Sequence, residues 1–136
     1  MPSDRTLRWS ALGFAVFFAL VVALGYIPRF NQGMSHVDMS HMGEHSMFGL
    51  YMIGAADDVT HGLTAVLLLV GALTSARAAR LGLAAFGWYY ATDAAIYLVT
   101  GFIQHRAFVS NILLNLPHVV ISAVMLALAY RGRSVP

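Results

Sequence analysis

From Trp9 to Ile27 the chain runs without a charged residue, and three more long apolar runs follow at about 50–74, 81–103 and 109–130. This feature constrains the fold more than any other. Each run is long enough to cross a hydrocarbon core of ~30 Å as a helix. Lipid offers no partner to an unpaired backbone group, so a helix is the form such a run takes. The alternation of a membrane β-barrel strand is absent. Only 10% of residues are charged, against about 25% in an average soluble protein. In 136 residues that leaves too little charge for a water-facing surface and too much hydrophobicity for a disordered chain. The sequence therefore predicts an all-α fold: a single membrane domain over 1–136, built as a four-transmembrane-helix bundle.

Arginine sets the expected direction. All eight basic residues are Arg. Arg5 and Arg8 precede the first run, Arg77 and Arg80 separate the second and third, and Arg131 and Arg133 follow the fourth. Only Arg29 and Arg106 fall on the other side. The positive-inside rule then places both termini in the cytoplasm of a bacterial inner membrane, with the 28–49 loop facing the periplasm or exterior. The basic residues are spent as topology signals, so no stripe remains for nucleic acid. The first run has the charged start of a secretory leader, but its apolar stretch is longer than a leader's core, and it is read as a retained span. Cysteine is absent, which excludes disulfides and thiolate chemistry.

The two halves echo each other. Gly25-Tyr26-Ile27 followed by Arg29 and Phe30 parallels Gly101-Phe102-Ile103 followed by Arg106 and Phe108, and Asp58-Val59-Thr60-His61 parallels Asn115-Leu116-Pro117-His118. This is the pattern of a duplicated helix hairpin with extra length inserted in the first external loop.

That insertion is rich in metal-ligand side chains. Residues 34–47 hold Met34, His36, Met39, His41, Met42, His45 and Met47, where an average composition would give about one Met or His. Thioether sulfur suits Cu(I), and imidazole suits Cu(II), zinc and nickel. A site without thiols in an oxidising compartment needs this mixture to hold copper in both oxidation states. The alternative is a polar loop whose Met residues pack loosely.

Ionisable residues also sit inside the spans, where each costs several kcal/mol and faces the helical interior. They are Asp57, Asp58, His61, Asp93 and His118. Asp57 and Asp58 lie four and three residues before His61, so either can share its helix face and fix its tautomer. Depth places His61 and His118 roughly 10–15 Å, and Asp93 about 12 Å, from the external ends of their spans, so the three are expected to meet in one layer. Tyr89, Tyr90 and Tyr97 sit at helical spacing from Asp93 as candidate donors. Pro117 is expected to kink the fourth span beside His118. Gly82, Gly87 and the neighbouring alanines give the third span the slimmest profile, suited to close helix approach.

Three readings of this polar layer stand side by side: a metal site fed by the loop, a bis-His haem b held by His61 and His118, and interhelical hydrogen bonds alone. At the level of the whole protein these correspond to a copper-handling protein for uptake, storage or resistance, a haem-binding electron-transfer subunit, and an accessory subunit of a membrane complex without metal. A homo-oligomer or a periplasmic metal donor or acceptor protein would be the partner in the first case. No nucleophile motif and no glycine-rich phosphate loop occurs, so no catalytic residue is assigned.

The chain resembles an uncharacterised, domain-of-unknown-function family of small bacterial four-helix membrane proteins. The likeness rests on Asp57-Asp58-Val59-Thr60-His61-Gly62 and Asn115-Leu116-Pro117-His118 and extends over roughly residues 10–130. It implies a compact four-helix body and no activity. The Met/His insertion departs from that family and resembles the copper-binding segments of periplasmic copper-resistance proteins.

Overall fold

Ser3 starts the first helix earlier than hydrophobicity alone predicts. Its hydroxyl accepts from the Thr6 N–H at 3.1 Å, and Asp4 follows in the first turn, where the helix dipole favours a carboxylate. In the computed structural model, which describes residues 2–27, 45–47 and 51–131, α1 therefore covers Asp4–Gly25 rather than 9–27. Arg8, read above as a topology signal, has a second task. Its Nε donates to the Ala72 carbonyl at 2.7 Å and its Nη2 to the Leu73 carbonyl at 3.3 Å, which satisfies groups left open at the end of the next helix.

Two short strands follow, β1 (His45–Met47) and β2 (Tyr51–Ile53), paired antiparallel with His45 opposite Ile53, Ser46 opposite Met52 and Met47 opposite Tyr51. They are a small addition to a body that is otherwise helical, as expected, and they shorten the second predicted span, since 51–53 is strand. The apolar Tyr51-Met52-Ile53 reads in sequence as helix continuation. Gly54 breaks it, and its N–H donates to the Asp57 carboxylate at 2.9 Å as α2 (Ala55–Thr74) begins.

Ser75 alone joins α2 to α3 (Ala76–Ile103), its hydroxyl accepting from the Ala78 N–H at 3.1 Å. So tight a turn needs Gly71, where an added Cβ would stand 3.2 Å from the Ala78 carbonyl oxygen. The third helix thus starts at Ala76, five residues before the predicted 81, because Ser75 caps it at once. It ends in a Schellman motif: the His105 N–H donates to the Phe102 carbonyl and the Arg106 N–H to the Gly101 carbonyl. His105 occupies the left-handed region at φ 57°, a place that favours glycine. His105→Gly is expected to stabilise the protein by about 0.5 kcal/mol, read as a rise of one to a few degrees in thermal unfolding in detergent. A fall would show that the imidazole makes a contact worth more than the strain. Last comes α4 (Phe108–Tyr130), which continues as helix through Pro117.

All four helices supply one core. Leu7, Ala11, Ala15 and Phe18 of α1 meet Ala65, Leu68 and Ala72 of α2, Ala79, Leu83 and Tyr90 of α3, and Met125 and Ala129 of α4. The spacings of three and four residues put each set on one helix face. Small residues let the backbones close up, as expected for α3: a Cβ at Gly87 would come within 2.9 Å of the Leu126 side chain, and one at Gly82 within 3.0 Å of Leu68. α1 packs chiefly on α2, and α3 on α4.

Polarity runs inside out. Asp58, Thr64, Asn111, Asn115 and Ser122 are buried, while Val16, Leu20, Val66, Val70, Leu113 and Val120 are exposed. Among the described residues, three helices, Asp4–Gly25, Ala55–Thr74 and Phe108–Tyr130, are long and apolar enough to cross a membrane. The remaining predicted span lies in α3, the longest helix, whose Trp88, Tyr89, Tyr90, Asp93 and Tyr97 lower its hydropathy and leave it outside that group.

Candidate functional site

The interior is divided along its length. Toward the end of α2 and the start of α3 it is apolar, built on Leu68, Ala72, Ala79 and Leu83. Toward the start of α2 and of α4 it becomes polar, with Asp58, His61, Thr64, Asn111, Asn115 and His118. The expected layer forms at the boundary. The His118 Nδ1 lies 2.7 Å from the Asp93 Oδ2, which ties α4 to α3. The imidazoles of His61 and His118 have ring centroids 6.3 Å apart. Helix geometry explains the meeting, because α2 and α4 descend from the same end while α3 rises toward it, so similar depths are reached from different sequence positions.

Aromatic rings wall this layer. His61 stacks on Phe18 at 5.6 Å and on Tyr90 at 6.1 Å, and Phe18 and Tyr90 stack on each other at 5.0 Å. Tyr90 also lies 5.3 Å from the His118 ring. The Tyr90 hydroxyl reaches Thr64 Oγ1 at 3.0 Å, so its body is apolar wall and its tip is satisfied.

The carboxylates are used differently from the sequence expectation. Asp57 and Asp58 share helix turns with His61, yet neither bonds its Nδ1, which is buried without a hydrogen-bond partner among the described residues. Asp57 caps α2 through Gly54, and Asp58 accepts from the Tyr26 hydroxyl at 2.9 Å, joining the end of α1 to the start of α2. The imidazole that gains a carboxylate is His118, across a helix interface. Nor do the tyrosines serve Asp93 as expected: Tyr90 bonds Thr64, and Tyr89 and Tyr97 are exposed. On the His118 face of α4, Ser122 donates to its own helix at the Val119 carbonyl, 3.0 Å away.

Sequence reasoning passed over Asn111. It is fully buried, and its Nδ2 donates to the Leu98 carbonyl at 2.9 Å. Asn115 Nδ2 donates in turn to the Asn111 carbonyl at 2.8 Å and lies 3.3 Å from its Oδ1. The signal was present as spacing: Asn111, Asn115, His118 and Ser122 follow each other by four, three and four residues, one polar stripe on α4. Phe18 and Thr64 carried no comparable signal, since an apolar helix offers many such residues.

Of the Met/His segment, Met34, His36, Met39, His41 and Met42 lie outside the described residues. His45 and Met47 are in β1, whose pairing with β2 leads directly into α2 and the polar end of the interior. Among the described residues, no group of three or more His, Asp or Glu is placed to hold a metal ion.

No family model matches the chain, and neither a curated protein nor a solved structure matches it.

Proposed function

We propose that this is a multi-pass protein of a bacterial inner membrane that binds copper, or a similar soft ion, through its external Met/His segment for uptake, storage or resistance. The observation that carries the reading is the segment itself: four Met and three His in fourteen residues, joined through the β1–β2 pair to the polar end of a helical interior. Thioethers need no deprotonation and bind soft ions, while imidazoles extend the range to Cu(II).

In this reading α3 is the fourth span. Its Asp93 is covered by His118 of α4 and its Tyr90 by Thr64 of α2, so its polar groups need not meet lipid. Arg8 reaches the end of α2, so Arg5, Arg8, Arg77 and Arg80 share one end of the helices, and the positive-inside rule supports reading that end as cytoplasmic. The Met/His segment, between α1 and α2, then opens outward. The helices make one compact body, with the two hairpins α1–α2 and α3–α4 as its repeated unit.

Competition for Cu(I) against a coloured chelator tests this on detergent-purified protein. The comparison variant carries Ala at Met34, His36, Met39, His41, Met42, His45 and Met47. The parent is expected to hold more ions than the variant and to hold them tightly. Equal stoichiometry and affinity in the two would overturn the role of the segment.

A further inference from the structure

The Met/His segment accounts for capture but leaves unused an imidazole pair in the interior. We propose that His61 and His118 form a second, two-coordinate site for a soft monovalent cation, Cu(I) first, with Asp93 as the carboxylate that positions His118 and balances the charge. Only the choice of ion rests on the copper reading above.

Spacing is the first support. A linear nitrogen–metal–nitrogen bridge with bonds of about 2.0 Å separates two imidazole centroids by about 6 Å. The observed separation is 6.3 Å, with the rings tilted by 55°, a twist that a two-coordinate ion does not restrict. Protonation is the second. The Asp93 carboxylate at 2.7 Å holds the proton of His118 on Nδ1 and leaves the Nε2 lone pair for a ligand. On the other side, the His61 Nδ1 is a buried nitrogen with no hydrogen-bond partner among the described residues. Leaving such an atom unpaired in the interior is unfavourable, and a bound ion would satisfy it.

The surroundings agree with that choice of ion. Zinc in a closed protein site takes four ligands, and among the described residues no group of three or more His, Asp or Glu is placed to hold a metal ion. Cu(I) accepts two ligands in a line. Phe18 and Tyr90 line the pair with apolar surface, which disfavours a strongly hydrated divalent ion. One monovalent cation beside one carboxylate is neutral overall, as a low-dielectric interior requires.

The test uses the full chain in detergent with the seven segment residues replaced by Ala, so that only the interior site remains. Titration with Cu(I) against the chelator is expected to leave one equivalent bound, and X-ray absorption of that ion should show two nitrogen neighbours and no sulfur. His61→Phe, which keeps a stacking ring, and His118→Gln should each weaken this binding at least about 100-fold. Asp93→Asn should weaken it about 10–100-fold, as loss of a carboxylate behind a ligating imidazole does. In the parent, with the segment intact, the same His substitutions should lower the stoichiometry by one ion. Unchanged stoichiometry in the parent His variants would overturn the proposal and leave the segment reading standing. Conversely, one equivalent bound equally by the parent and the seven-residue variant, and lost with either histidine, would overturn the segment reading alone.

Discussion

Gly101→Ala is expected to destabilise the protein by about 3 kcal/mol, a fall of roughly 10 °C in thermal unfolding followed by circular dichroism in detergent. The reason is local and severe. A Cβ at Gly101 would overlap the side-chain amide of Asn111, from its Oδ1 to its Nδ2. Asn111 cannot easily step aside, because it is fully buried and its Nδ2 is engaged by the Leu98 carbonyl. Displacing it also disturbs Asn115, which donates to the Asn111 backbone carbonyl. The new methyl therefore either strains the α3–α4 contact or leaves buried amide groups unpaired, and each route costs about 1–3 kcal/mol. Asn111→Ala alone removes the hydrogen bond but makes room. The double variant should be less destabilised than the sum of the two single changes by at least about 1 kcal/mol, the signature of direct contact. Strict additivity would show that Gly101 and Asn111 do not share this space.

His118→Ala is expected to cost about 3 kcal/mol, and adding Asp93→Asn should restore more than half of the loss. The pair joins α3 to α4 at 2.7 Å, in the middle of helices read as membrane-spanning. Removing the imidazole leaves the Asp93 carboxylate without its hydrogen-bond partner inside the helix interface, and a group stranded in this way costs about 1–3 kcal/mol, more when it is charged. Asn in place of Asp93 is neutral and close in shape, so the penalty of a stranded carboxylate disappears while the packing is nearly kept. The measurement is a double-mutant cycle on thermal unfolding of detergent-purified protein. If His118→Ala is equally destabilised with Asp or with Asn at position 93, the loss comes from packing against Tyr90, whose ring lies 5.3 Å from His118, and the Asp93–His118 hydrogen bond contributes little.

Local signals wrote much of the helix plan. Ser3 and Ser75 cap two helices with their own hydroxyls, and both are visible as capping residues once hydrophobicity is not the only guide. The strand pair was hidden because Tyr51-Met52-Ile53 continues the apolar run into α2, and a three-residue strand has too few alternations to show a period. His105 at the left-handed turn was equally silent, since an imidazole there is tolerated by the two backbone hydrogen bonds of the motif rather than favoured by its own chemistry.

What the sequence determined by itself was hydrophobic length, depth and the Met/His segment. An apolar run of given length and rise per residue puts a polar side chain at a calculable depth, which is why His61, Asp93 and His118 could be placed in one layer before any packing was known. What only the tertiary structure decided was the choice of partner within that layer. Asp57 and Asp58 are near His61 along the chain but turn to Gly54 and Tyr26, while Asp93 crosses to His118. Chain spacing fixes the height and azimuth of a side chain on its own helix. Which neighbour it meets depends on how the helices rotate against each other, and that rotation is set by the small residues and rings of the shared core, with Gly87 against Leu126 and Tyr90 between Phe18 and His118.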